Sequence, residues 1–374
     1  MRFRKPRVAG LERPASIMVL VASNRRRGAE VFGERLTRGL SELGWMTDFV
    51  ALQAADTDRI VGADPLRPAG AATRIDVATL RALRRRVHDR RPSILLANGG
   101  ATLRYAIATS TTMSSPPLVA YASIGEPRFW LRSAKHARLQ RFLHRRADVI
   151  LAVSESTRRQ LIDDIGVDAG RVQVAHTGVP HTFFVDSEPS EQPVRLLFLG
   201  SLSPEKDPQT ALDVTLEILQ TNPIRLRIVG DGPLRAGIAD QIASRGLGDV
   251  IELTGSVDDV TPHLAWADVL VLTSRTEGLP GAILEAGAAG VPCVAFDVGG
   301  VAETMRPGVS GVVVPPGDVN AMVTELNRLI ESPPKTRNMG VEARDFVANR
   351  FTLDQSIQRH HQILSELLTT GVSR

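Results

Sequence analysis

Along most of the chain, short apolar runs alternate with segments whose apolar residues recur at helical spacing. Residues 17–22, 94–97, 118–121 and 149–153 carry few polar side chains, the pattern of strands buried on both faces. Between them lie amphipathic helices. Residues 30–43 place Phe32, Leu36, Leu40 and Leu43 on one stripe, with Gly44 as the stop. Ser154 is positioned as the N-cap of a helix carrying Arg158, Arg159 and Leu161. The polar segment 186–193, with two prolines, reads as a linker. Beyond it the alternation restarts, with strands expected at 194–199, 224–229, 250–253, 269–272, 291–296 and 311–314. Thr352 and Gln355 have capping-box spacing and open a last helix with Ile357, Leu364 and Leu368 on one face. Such alternation predicts βαβ units, hence an α/β chain of two Rossmann-like, doubly wound halves. A ligand belongs at the carboxyl ends of their strands.

The length of 374 residues agrees with two domains, and 43% hydrophobic content supplies two cores. The 31 Gly and 23 Pro show no collagen-like period. Cys293 is the single cysteine, which excludes an internal disulfide and a multi-cysteine metal cluster; it lies in an apolar strand and reads as core. No apolar run is long enough to span a bilayer, and the one after the basic N-terminus is too short for a signal peptide. A reducing, cytoplasmic setting is therefore expected.

Charge changes this picture. Residues 1–185 carry 30 Arg and Lys against 16 Asp and Glu, while 186–374 carry 15 against 25, although the net charge is only +4. Basic clusters lie at Arg25–Arg27, Arg84–Arg86, Arg90–Arg91 and Arg145–Arg146. A half so charged suits an anionic partner, such as lipid at the inner face of the plasma membrane, a phosphorylated acceptor or nucleic acid, and is equally the solvated helix surface of a chain with 41 Arg against 4 Lys. Nucleic acid is disfavoured: aromatics are 4%, the total is nearly neutral and no binding motif is found. A dehydrogenase is also disfavoured, because no G-x-G-x-x-G follows the first strand.

The richest chemistry lies in 273–303, TSRTEGLPGAILEAGAAGVPCVAFDVGGVAE. Glu277 and Glu285 are eight residues apart, and Gly278, Leu279, Pro280 and Gly281 form a turn that opens a helix, which Gly290 ends. A helix N-terminus offers free N–H groups to a phosphate. Carboxylates in the turn and one turn into the helix can accept from hydroxyls on either side. A diphosphate with sugars at both ends, a nucleotide sugar, has that form; the spacing alone is equally that of a surface loop with two solvated glutamates.

This stretch resembles the E-x7-E signature of family 4 retaining glycosyltransferases, which have the GT-B fold. Other pieces resemble the family in the same order: RGAEVFGERLTRGL (27–40), ADVILAVSESTRRQLIDDIGV (147–167), HTGV (176–179), LFLGSLSPEKDPQTAL (197–212), IVGDGP (228–233) and LTGSVDDV (253–260). The resemblance is dense over 194–318 and thinner over 1–140. It implies two Rossmann-like domains facing a central cleft, with the C-terminal helix crossing back to the N-domain. The acceptor-side domain is placed at 1–185 plus about 352–374, and the nucleotide-sugar domain at 186–351. It implies transfer of a hexosyl group, with retention, to a glycan, glycolipid, polysaccharide or other cell-envelope acceptor, with no metal and no separate cofactor. Lys206 would stabilise the departing diphosphate, with Gly281 and Ala282 donating backbone N–H groups to it. Glu277 would hold the transferred sugar and Glu285 the ribose. Ser256 and Val257 would lie against the base, while Gly200, Ser201, Gly278, Leu279 and Pro280 line the donor. Gly28 would approach the phosphates from the N-domain.

Three departures stand out. Ser201 follows Gly200 where the family often has Arg, leaving Lys206 alone or Arg275 to compensate. The segment AYASIGEPRFW (120–130) lacks the His many members carry, and His136 reads as an exposed helix residue, not its substitute. Arg27 precedes Gly28 where paired glycines are usual. A non-catalytic, nucleotide-binding subunit is the alternative these departures suggest. Asp56 and Asp58 form a D-x-D, a metal–diphosphate signature of glycosyltransferases of another fold; in a polar loop it is not expected to bind metal.

Overall fold

The computed structural model describes residues 15–56, 59–69, 76–131, 133–186 and 194–371. The N-terminal basic residues, Asp58 and the segment 187–193 lie outside the described residues. The chain divides into two compact units, one of Met1–Thr177 with Ser356–Arg374 and one of Gly178–Gln355.

The first unit is built on a seven-stranded sheet: β1 (Ser16–Ser23), β2 (Met46–Gln53), β3 (Asp64–Pro65), β4 (Ile94–Asn98), β5 (Leu118–Ser123), β6 (Val149–Ala152) and β7 (Val172–Val174). The order is β3-β2-β1-β4-β5-β6-β7 and every pairing is parallel. Its helices are α1 (Gly28–Glu42), α2 (Val77–Arg90), α3 (Gly100–Ser110), α4 (Pro127–Trp130), α5 (Ala134–His144) and α6 (Glu155–Asp163). The second unit holds β8 (Val194–Leu199), β9 (Ile224–Val229), β10 (Ile251–Gly255), β11 (Val269–Leu272), β12 (Cys293–Phe296) and β13 (Val312–Val314). Their order is β10-β9-β8-β11-β12-β13, again all parallel. Its helices are α7 (Pro208–Ile218), α8 (Arg235–Ser244), α9 (Thr261–Trp266), α10 (Gly281–Ala288), α11 (Val319–Ile330) and α12 (Pro333–Arg350). The last helix, α13 (Leu353–Gly371), starts at the edge of this unit.

Both sheets are the doubly wound parallel type that the apolar runs predict. Met18, Leu20, Leu95 and Ile150 are fully buried in the first core, Leu196, Phe198, Leu226 and Val269 in the second. Each such side chain contributes about 1.5–3 kcal/mol of burial. Cys293 is buried in β12, and its thiol is pushed well above the usual range by burial and then by the Glu277 charge.

The caps follow the sequence. Ser154 Oγ accepts from the Thr157 N–H at 3.0 Å. The Thr352 N–H donates to Gln355 Oε1 at 3.1 Å, and the Gln355 N–H to Thr352 Oγ1 at 3.3 Å, closing the capping box of α13. That helix returns to the first unit: Trp45 Nε1 donates to His361 Nδ1 at 2.9 Å, and the Phe32 and His360 rings lie 5.4 Å apart. The boundary falls at 177/178, ahead of the 185/186 position expected from the polar segment. Residues 178–186 belong with the second unit because Val179 exchanges backbone hydrogen bonds with Phe351 and Leu353. Arg344 also donates to the carbonyls of Phe184 and Val185.

Candidate functional site

In the second sheet the winding direction reverses between β8 and β11. At such a switch point the loops leaving two adjacent strands diverge and open a crevice at their carboxyl ends. The loop after β8 carries Gly200, Ser201 and Lys206; the loop after β11 carries Thr273–Pro280 and leads into α10.

The two loops are joined by side chains. Lys206 Nζ donates to Glu277 Oε1 at 2.6 Å, and the Ser274 hydroxyl donates to the same oxygen at 2.7 Å. The Glu277 side chain is only 6% exposed, so its charge has a cation and a hydroxyl in place of water. Thr273 Oγ1 donates to the Asp207 carbonyl at 2.8 Å, and the Arg275 N–H to the Glu205 carbonyl at 2.8 Å. Asp207 N-caps α7 from a left-handed conformation (φ 48°), and its Oδ2 accepts from Arg275 Nε at 2.8 Å. Arg275 is thus engaged with Asp207, which positions the Lys206 loop.

Two glycines allow the backbones to close around this arrangement. Gly299 has φ +53°, and a Cβ there would lie 1.7 Å from the Glu277 carbonyl oxygen. Gly230 has φ +143°, and a Cβ there would lie 1.9 Å from the Gly200 carbonyl oxygen. No other residue type fits either place without moving the loops that carry Glu277 and Lys206.

The sequence-predicted residues fall as follows. Gly278, Leu279 and Pro280 form the buried turn before α10; Gly281, exposed, and Ala282 begin the helix, so their N–H groups belong to its unpaired first turn. Glu285 is half-buried one turn further on. Exposed Ser256 and half-buried Val257 follow β10, and Ser201 is exposed beside Gly200. In the first unit Gly28 opens α1 beyond the end of β1, exposed and with no side-chain cap. His136 is half-buried on α5, against the expectation of an exposed position, because its ring nitrogen faces the Gln140 amide at 3.0 Å. Ser274, Asp207 and Gly299 were not singled out in the sequence: Asp207 and Gly299 act through partners distant along the chain, and Ser274 acts on Glu277, three residues on, only through the fold of the turn. Asn98 was also missed: its Nδ2 donates to the Ala29 carbonyl at 2.7 Å, tying the end of β4 to the first turn of α1. Among the described residues no group of three or more His, Cys, Asp or Glu could hold a metal ion.

Two facing strand-end loops, a lysine paired with a buried glutamate and an open helix N-terminus in a doubly wound pair of units define a glycosyltransferase-type GT-B fold. Residues 26–183 match the family model for Glycosyltransferase Family 4, and residues 193–332 match that for Glycosyl transferases group 1. The chain belongs to the family 4 glycosyltransferases. It is 32% identical over 225 residues to an exopolysaccharide phosphotransferase of Streptomyces coelicolor, covering 59% of this chain and 24% of that protein. It is 28% identical over 179 residues to the N-acetyl-alpha-D-glucosaminyl L-malate synthase of Bacillus anthracis, covering 48% of this chain and 47% of the other. The chain thus spans less than half the length of these curated relatives. Anabaena HepE, crystallised in complex with UDP, has the same fold at a TM-score of 0.76 and 20% identity, over 94% of this chain and 100% of that one.

Proposed function

We propose that the protein transfers a hexosyl group from a nucleotide sugar, with retention at the anomeric carbon, to a glycan, glycolipid or other cell-envelope acceptor. The observation that carries this is the Lys206–Glu277 pair at the switch point, with the N-terminus of α10 beside it. In this reading the Lys206 ammonium and the N–H groups of Gly281 and Ala282 hold the donor diphosphate. Glu285 accepts from the ribose hydroxyls, Glu277 from the hydroxyls of the transferred sugar, and Ser256 and Val257 flank the base. The UDP found in HepE and the names of the relatives support the donor class.

The proposed step is front-sided. The bond from the anomeric carbon to the diphosphate oxygen breaks, the acceptor oxygen bonds to that carbon on the same face, and the acceptor proton passes to the leaving phosphate. Lys206 stabilises the negative charge that builds on the diphosphate, the largest kind of contribution a fixed donor makes. No metal is assigned a role, and transfer in excess chelator tests that.

Calorimetry with UDP, GDP, ADP, dTDP and their sugar conjugates tests the reading. Saturable binding of one nucleotide, abolished by Glu285→Ala, supports it; failure of every nucleotide to bind overturns it. Ser201, standing where the family often has Arg, favours one second reading, a nucleotide-binding subunit without turnover. Binding with neither transfer nor hydrolysis of the sugar would mark that case.

A further inference from the structure

The basic clusters of the first unit differ in how they are satisfied. Arg86 is bound by Asp48 and Asp64 at 2.6 and 2.8 Å, and this pairing holds its guanidinium well above the usual range. Arg84 donates to the Thr112 carbonyl. The stretch from α4 through α5 is different. Residues 128–147 contain no Asp or Glu. Along α5 and the turn after it, Lys135, Arg138, Leu139, Phe142, Arg145 and Arg146 recur at helical spacing, and all six are exposed. The opposite face, with Leu143 and His144, is buried. The helix therefore has two apolar faces' worth of work: one fills the core, while Leu139 (43% exposed) and Phe142 (51%) stand in solvent, with Phe129 of α4 (43%) nearby in sequence. Arg138, Arg141, Arg145 and Arg146 surround Phe142 in a shallow depression, and the Arg146 guanidinium lies 4.3 Å from its ring centre. Arg141 is anchored to the Ile165 carbonyl at 2.9 Å. Among the described residues no carboxylate pairs with Lys135, Arg138, Arg145 or Arg146.

We propose that this face of α5 docks the protein on an anionic lipid bilayer, with Leu139 and Phe142 entering the headgroup boundary and the surrounding cations meeting lipid phosphates. Unpaired cations alone would suit any polyanion. Exposed apolar side chains between them suit an interface that takes both, which is a bilayer surface. The proposal is independent of the donor reading, because docking is measured with no nucleotide present.

The test is flotation with vesicles of phosphatidylcholine and phosphatidylglycerol in equal parts, against vesicles of phosphatidylcholine alone. The wild-type protein is expected to float only with the anionic vesicles. Leu139→Ser/Phe142→Ser is expected to weaken binding about tenfold or more through lost apolar burial. Arg138→Gln/Arg145→Gln is expected to weaken it roughly fivefold per cation. Arg84→Gln/Arg85→Gln on α2 serves as the basic-cluster control and is expected to bind as wild type. All these side chains are exposed, so unchanged melting temperatures accompany the result. Absence of flotation overturns the proposal. So does loss of binding in the α2 variant with none in the α5 variants. Dependence on the arginines with no effect at Leu139 and Phe142 also overturns it, since the face would then read a soluble polyanion.

Discussion

Lys206 and Glu277, 71 residues apart in sequence, meet at 2.6 Å. The contact exists because β8 and β11, distant along the chain, are neighbours in the sheet, so the loops that leave them emerge side by side. Ser274 shares the same carboxylate oxygen, and Thr273 and Arg275 hold the Lys206 loop from behind. In four consecutive residues, 274–277, the β11 loop thus supplies both a carboxylate and part of the frame that positions its cation.

Replacing Lys206 removes the cation from Glu277. Lys206→Ala is expected to lower turnover about 10²-fold or more, as for other charge-stabilising donors. Steady-state kinetics with the nucleotide sugar selected by calorimetry checks this, and wild-type kinetics would sink the site assignment.

Gly299→Ala puts a Cβ into the Glu277 carbonyl in a left-handed backbone. It is expected to cost ~2 kcal/mol or more of stability and to weaken nucleotide binding as the Glu277 turn shifts. Urea unfolding and calorimetry on the same variant measure the two effects separately.

Asp207 and Arg275 separate positioning from catalysis. Asp207→Ala removes the N-cap of α7 and the Arg275 contact, and is expected to destabilise by ~1–2 kcal/mol. The Arg275 side chain is 64% exposed, so Arg275→Ala is expected to cost less than ~1 kcal/mol. Its turnover should stay within about tenfold of wild type, short of the roughly 10²-fold loss for a charge-stabilising donor. A larger fall would mean that Arg275 acts on the donor in place of the arginine absent at Ser201.

His360 gives a dependence of stability on pH. Burial, then Arg359 and His176, lower its pKa from 6.5 to about 4, against the raising effect of the Ser356 carbonyl that its Nδ1 donates to at 2.8 Å. Between those values the unfolded chain binds a proton that the folded chain does not. Stability is therefore full above pH 6.5 and falls as pH drops toward 4, by roughly 3 kcal/mol from this residue. Urea unfolding at pH 7 and pH 5 should show a smaller loss in His360→Phe than in the wild type; equal losses would refute the assignment.

The strands that carry long apolar runs were legible in the sequence, as were the caps at Ser154 and Thr352. β2 was not, because it opens with an exposed Met46 and half-buried Thr47 and Asp48 before the buried Phe49–Leu52 portion. β3 and β7, of two and three residues, are too short for periodicity to register. Glu277 and Glu285 were identifiable by residue type and turn context, and Lys206 through the family resemblance. Their relation was not: the resemblance implies the diphosphate for Lys206 and the sugar for Glu277, and nothing local says that the two side chains touch.

Local chemistry by itself determined the two α/β halves, the turn that opens α10 and the capping of α13, because apolar period, glycine placement and side-chain caps act over a few residues. Strand order decided the rest. It set β8 beside β11, brought Lys206 to Glu277, and required glycine at 299 and 230 where loops from different strands cross. It also decided which face of α5 is covered and which leaves Leu139 and Phe142 exposed. These depend on contacts between residues far apart in the chain, and a one-dimensional pattern specifies which residues seek burial without specifying which partner buries them.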